Sequence, residues 1–301
     1  MQPYLAAREE LIASADPGTE AAEELCALMD EAVSALAEAA SARAPKRVAI
    51  VALGGWGAGR LLPASDLDLL VLCDEPPVKV KPFVEAVLYP LWDAGLAIGH
   101  QVRTRKQQLT AVRADTDTLT ATLNGRVVCG DAGWADAVLA ECAADAAKRS
   151  REVLRALSAR PRPGSPYLLE PDLKDGAGGQ RDLDELAWTA SVLTGRPRAG
   201  FEALVDEGII DSAERARLDS AAEKIAAARW DLGRARPRAA TLLALDAVED
   251  VRINAALVQS ALADAHHTLL TVRRRLAGGR APDLRPLASP RLFELLERGE
   301  A

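Results

Sequence analysis

Gly54-Gly55-Trp56-Gly57-Ala58-Gly59-Arg60-Leu61-Leu62-Pro63-Ala64-Ser65-Asp66-Leu67-Asp68-Leu69-Leu70 joins a glycine-rich turn to a Ser-Asp-x-Asp. One apolar run, Arg47 to Leu53, leads into the turn, and another, Leu67 to Cys73, carries the aspartates. Both runs read as short buried strands, with a short helix opening near Gly57 between them. Glycines let backbone N–H groups come close to a polyphosphate. Aspartates two apart on a strand share a face, so Asp66 and Asp68 can hold a divalent cation while Leu67, Leu69 and Val71 turn to the core. That layout suits metal-dependent nucleotidyl transfer, in which cations clamp the attacking and leaving oxygens.

Other readings of the turn fit less well. A P-loop ends in Gly-Lys-Ser/Thr, and a dinucleotide fingerprint needs G-x-G-x-x-G; Gly55 to Gly59 has neither. A Ser-Asp-x-Asp alone would be a strand start with solvated acids. The glycine pair on the preceding strand end favours the metal reading.

Around this centre the pattern is α+β. Helices are expected over 5–14 and 20–42, with Thr19 as N-cap of the second. Beyond the second strand come a helix at 80–93, with Pro90 near its end, and a third strand from Leu96 to Thr104, on which Ile98, His100 and Val102 share a side. Helices near 105–112 and 116–124 and an edge strand from Arg126 to Cys129 follow. From Gly133 the pattern is helical, broken at 160–166, 174–179 and 195–197, with helices at 212–235, 239–246, 248–276 and 290–298. The expected architecture is an N-terminal helical segment (1–44), a small mixed-sheet nucleotidyltransferase core (45–145) and an all-helical domain (146–301).

Composition narrows the function. The chain has 301 residues, is 49% hydrophobic and 27% charged, and carries a net charge of −7. It reads as globular, and the negative charge argues against broad nucleic-acid binding while allowing a local basic pocket for one nucleotide. No apolar run approaches the ~18 residues of a membrane helix, and Met1 to Glu10 lacks the pattern of a secretory signal. The first 45 residues hold nine Asp/Glu against Arg8 and Arg43, which reads as a solvated helix face. Cys26, Cys73, Cys129 and Cys142 form no CxxC pair, so neither disulfides nor zinc are expected, as in a reducing cytoplasm.

A second motif lies at Leu169-Glu170-Pro171-Asp172-Leu173-Lys174-Asp175-Gly176-Ala177-Gly178-Gly179-Gln180-Arg181-Asp182-Leu183. It joins a glycine turn to Lys174 and Arg181 and opens a helix near Arg181, an arrangement suited to an anion. A plain capping loop with surface charges has the same pattern.

With both motifs in view, the chain resembles the N-terminal half of bacterial PII uridylyltransferases, of the DNA polymerase β-like nucleotidyltransferase superfamily. The resemblance runs in order through 54–70, Leu91-Trp92-Asp93-Ala94-Gly95-Leu96, Gly99-His100-Gln101-Val102-Arg103-Thr104, Asp115-Thr116 to Arg126, Gly130-Asp131 and the GGxRDL ending at 178–183. It implies transfer of UMP from UTP to a tyrosine of the small PII nitrogen-signalling protein, with Mg²⁺ or Mn²⁺. It also implies that Asp66 and Asp68 hold metal and act in catalysis, that Gly54, Gly55 and Ser65 contact the triphosphate, and that Lys174, Arg181 and Asp182 contact nucleotide or acceptor. Trp56, Ala58 and Arg60 stand where the family usually has tyrosine, arginine and glutamate. Related enzymes use a third carboxylate on a later strand. Gly99 to Thr104 holds no acid, which leaves Asp115 and Asp182 as stand-ins. Family members continue into HD and ACT domains; this chain ends at Ala301, about where the HD domain would begin, and His266-His267 read as surface residues. Transfer without UMP removal or glutamine sensing is therefore expected. An adenylyltransferase, a transferase for another protein, and a nucleotide-binding module that has lost catalysis are the alternatives.

Overall fold

The acidic N-terminal stretch folds as two helices, α1 (Gln2–Ser14) and α2 (Thr19–Ala39), in a computed structural model that describes residues 1–236, 241–244 and 253–278. α2 buries Ala22, Leu25, Cys26, Met29 and Val33, one stripe at helical spacing, and leaves Glu20, Glu23, Glu24, Glu31 and Glu38 in solvent. Thr19 is not the N-cap. Gly18 holds that place, and the Thr19 N–H and hydroxyl instead donate to the Glu223 carboxylate at 3.0 and 2.5 Å.

The two apolar runs form β1 (Val48–Ala52) and β2 (Leu67–Cys73), antiparallel neighbours with Ala52 opposite Leu69. Between them α3 (Gly54–Gly57) begins directly at the strand end, three residues before the expected opening. α4 (Pro77–Asp93) then crosses over to β3 (Ile98–Thr104), which pairs with β2 in parallel. α4 starts at Pro77 because a proline in the first helical turn loses no hydrogen bond. On β3, Ile98 and Val102 pack toward the core, while His100 is exposed with its ring 5.6 Å from that of Trp92. α5 (Arg105–Ala114) and α6 (Thr116–Leu123) lead to β4 (Arg126–Gly130), antiparallel to β1. The mixed sheet has the order β3-β2-β1-β4, with β4 on an edge as the sequence predicts.

The remaining described elements are helices: α7 (Ala132–Lys148), α8 (Ser150–Ser158), α9 (Gln180–Thr194), α10 (Glu202–Asp206), α11 (Ser212–Ala235) and α12 (Ala255–Leu276). The α+β architecture read from the sequence is thus the observed one. Residues 241–244, expected in a helix, instead run beside 171–173, with Leu242 bridged to Asp172. The helix expected at 248–276 begins at Ala255, where the Asn254 side chain accepts from the Leu257 N–H at 3.1 Å. The rest of 239–246, positions 248–252 and the helix expected at 290–298 lie outside the described residues. No described helix is long and apolar enough to cross a membrane.

Both sheet faces are covered. Ile50, Ala52, Leu67, Leu69 and Val71 pack under α1, α2 and α4. Ala49, Val51, Leu70 and Leu72 pack under α5 to α9. A third core joins α9 to α12. Two helices belong to two cores at once. α9 gives Trp188 and Val192 to the sheet side and Leu183, Leu186 and Ala190 to the helical side. α11 gives Ile225, Ala228 and Leu232 to the helical core, while Trp230 is buried in the core beneath α2 and α4. Trp230→Ala should therefore cost about 3–5 kcal/mol, read as a lowered denaturant midpoint, and should loosen α11 from the sheet.

Candidate active site

β2 begins at Leu67, so Asp66 is the last residue of the turn and is exposed, while Asp68 is the second strand residue and is partly buried. Asp68 lies opposite Gly99 of β3. A Cβ at Gly99 would stand 2.5 Å from Asp68 Oδ1, and one at Gly54 would stand 3.1 Å from Oδ2. The carboxylate thus fills a slot that two glycines keep open. Gly54 also takes φ +54, which reverses the chain at the end of β1. The Leu53 N–H donates to the Asp68 carbonyl at 2.9 Å, tying the turn to the strand that carries the acid. Ser65 closes the turn: its hydroxyl oxygen accepts from the Leu62 N–H at 3.1 Å, and its own N–H donates to the Leu62 carbonyl at 3.0 Å.

Burial, and then the neighbouring Asp66 charge, push the Asp68 carboxyl above the ordinary aspartate range; Lys174 and Arg181 pull the other way. Two crowded carboxylates with only oxygen donors fit a hard divalent cation. Among the described residues no group of three or more His, Cys, Asp or Glu is placed to hold a metal. The protein would supply two ligands, as for an ion that completes its shell with substrate phosphates and water.

The facing wall comes from the second motif. Lys174, Gln180, Arg181 and Asp184 line the same cleft as Gly54, Gly55, Ser65, Asp66 and Asp68, together with Arg60 and with Arg229 of α11. Seven of the eight residues expected at the site therefore meet there. The eighth, Asp182, does not. It is wholly buried, accepting from the Gly178 N–H at 2.8 Å and Arg162 Nε at 2.5 Å, with His266 Nδ1 2.7 Å away. Burial works to raise its pKa, but the hydrogen bonds from His266, Gly178 and Arg162 outweigh it and hold the carboxyl below the ordinary range. The reason is helical geometry: residues 181 and 184 share one face of α9, while 182 and 185 face another.

Further corrections follow. The first N–H groups of α9 do not point at the cleft: those of Gln180, Arg181 and Asp182 donate to the carbonyls of Leu173, Lys174 and Gly179, each at 2.9 Å. The positive charge of the cleft comes from side chains. Asp115 caps α6, accepting from the Thr118 N–H and hydroxyl at 2.8 and 2.6 Å, and these bonds lower its pKa. Neither stand-in for a third carboxylate reaches the cleft. Of the two histidines read as surface residues, His267 is exposed, while His266 is half-buried and partners the buried Asp182. Of the three altered turn positions, only Arg60 lines the cleft. Trp56 is buried and donates to Asp30 Oδ1 at 2.9 Å, and Arg126 binds the same carboxylate.

Four cleft residues, Arg60, Gln180, Asp184 and Arg229, escape a reading of the sequence. Arg60 pairs with Asp184, which also accepts from Gln180 Nε2 at 3.1 Å. The i, i+3 spacing of Asp184 from Arg181 is a faint signal for the first pair. Arg229, in an alanine-rich stretch of α11, carries none.

Residues 146–277, which include the second motif, match the family model described as GlnD PII-uridylyltransferase. The chain is related to the PII uridylyltransferases. Longer matches to curated proteins, one of them covering 82% of the chain, take in the stretch around Asp66 and Asp68 as well. Each of these is named a bifunctional uridylyltransferase/uridylyl-removing enzyme. One from Bradyrhizobium sp. (strain ORS 278) is 36% identical over 213 residues, 65% of this chain and 23% of the relative. One from Bradyrhizobium diazoefficiens is 33% identical over 264 residues, 82% of the chain and 28% of the relative. One from Nitrobacter winogradskyi is 31% identical over 258 residues, 78% and 27%. The chain spans about a quarter of the length of these uridylyltransferase relatives.

Gly99→Ala tests the slot. The added methyl must displace the Asp68 carboxylate, and Mn²⁺ binding followed by electron paramagnetic resonance should weaken by about tenfold or more, with the fold retained in circular dichroism.

Proposed function

We propose that this chain is a metal-dependent nucleotidyltransferase that moves UMP from UTP to a tyrosine hydroxyl of a PII-type protein in the cytoplasm. One observation carries the reading: a carboxylate pair at the start of β2 and a set of cations from α9, its preceding loop and α11 face each other across one cleft. A nucleoside triphosphate with its cation has the complementary charges. The choice of UTP rests on the names of the relatives, and that of a PII acceptor on the description of the family model.

Asp66 and Asp68 would hold Mg²⁺ or Mn²⁺, which supplies charge neutralisation at the phosphates. The chain's own residues then do three things. The turn at Gly54 and Gly55 leaves room for phosphate beside the backbone. Ser65 keeps its hydroxyl hydrogen free to donate, because its oxygen is the acceptor in the Leu62 bond. Lys174 and Arg181 offset the charge that develops on the leaving pyrophosphate. The acceptor oxygen attacks the α-phosphorus in line with the departing pyrophosphate, and positioning carries the step. Nucleic acid and membrane have no part in this reaction.

Mixing the chain with UTP, Mg²⁺ and a PII-type protein should add the mass of UMP to the acceptor. Asp66→Asn combined with Asp68→Asn should abolish the addition while circular dichroism is unchanged; full activity in that double variant would refute the assignment. ATP run in parallel separates uridylyl from adenylyl transfer.

The pH profile has a definite sign. Asp68 must be ionised to hold metal, and its pKa is raised. Metal-dependent UTP binding should therefore fail, as pH drops, at a higher pH than the ~3.9 of an unperturbed aspartate. Isothermal titration across the acid range reads this.

A further inference from the structure

The cations of the cleft are not equivalent. Arg60 is committed to Asp184. Arg181 pairs with Asp175 at 3.2 Å and lies 4.0 Å from Asp184. Arg229, which lines the cleft, makes no ion pair or hydrogen bond with any described residue, and its Nε is buried among them without an acceptor.

This arginine cannot relax into solvent easily. Its neighbour Trp230 is locked in the sheet-side core, and Ala228 and Leu232 are locked in the helical core. One turn on, the α-carbon side of Gly233 packs so closely on Pro63 and Ala64 that a Cβ there would meet them at 3.4 Å. α11 therefore holds the root of Arg229 against both halves of the molecule. Burial pulls its pKa below the usual arginine range; Asp184 opposes this and the Arg60 charge adds to it. An unpaired, partly buried guanidinium is unfavourable unless an anion completes it. The anion that matches its planar fork, in a cleft shared with two metal-binding carboxylates, is a phosphate.

We propose that Arg229 is a phosphate-binding residue of this cleft, holding the polyphosphate of the nucleotide from the α11 side. The proposal rests on the nucleotidyltransferase reading for its ligand but names a residue outside both sequence motifs.

The test uses Mg²⁺ with UTP and, separately, inorganic tripolyphosphate, titrated calorimetrically into wild type, Arg229→Gln and Arg229→Lys. Arg229→Gln should weaken both ligands by about tenfold or more, and Arg229→Lys should restore part of the loss. The ligand-free melting temperature of Arg229→Gln should be unchanged or higher, because an uncompensated charge has been removed. A purely structural arginine would move it downward by several degrees, and that result overturns the proposal. So does tripolyphosphate binding that is absent in wild type or as tight in Arg229→Gln. Arg229-dependent tripolyphosphate binding without any UMP transfer would remove the transferase reading and leave this inference standing. Transfer activity with Arg229-independent binding would do the reverse.

Discussion

α9 is buried along most of its length and carries three carboxylates, and the rest of the site depends on how these are paired. A buried charge without a partner costs several kcal/mol, so each acid admits few arrangements of the helix. Asp182 is met by Arg162, His266 and the Gly178 N–H. Glu185 is met by Arg162 at 2.8 Å and by a two-point contact from Arg273 at 2.7 Å. Asp184 is met by Arg60 and Gln180. Together these pairs set the rotation of α9 about its axis. Gln180, Arg181 and Asp184 then face the cleft, while Asp182 and Glu185 face away from it.

The same pairing joins the two halves of the cleft. Arg60 belongs to the glycine turn and Asp184 to the helical wall, so their contact spans the site. The resemblance to the uridylyltransferases makes Arg60 a charge reversal in the turn, and Asp184 is the acid that accepts it. Trp56, a second departure, is absorbed in the core through Asp30. The altered turn therefore reaches the cleft chemistry through one residue, and that residue is already neutralised.

Much of this was legible in the chain itself. The strand from Leu67 to Cys73 has the predicted ends, because an apolar run bounded by turn residues leaves little choice. The pairing of Gly54-Gly55 with Asp66 and Asp68 is local, and local spacing on a strand decides which side chains share a face. Lys174 and Arg181 were visible as charges beside a glycine turn. The misreadings have a common cause. Thr19, Asp182, Asp115 and His266 are polar residues whose type suits several roles, and for three of them a distant partner chooses: Glu223 for Thr19, Arg162 and His266 for Asp182, and Asp182 for His266. Asp115 was settled nearby, by the N–H and hydroxyl of Thr118, but as a helix cap and not as a site acid.

The sequence by itself determined the order of elements, the carboxylate pair and the resemblance to a nucleotidyltransferase family, since these depend on spacing within one stretch. Only the tertiary structure decided that the second motif forms the opposite wall, that Gly99 on β3 makes room for Asp68, and that Arg229 enters the cleft unpaired. Each of these is a contact between segments far apart in the chain. Such contacts are set by how α9 and α11 divide their apolar faces between two cores, which no local pattern records.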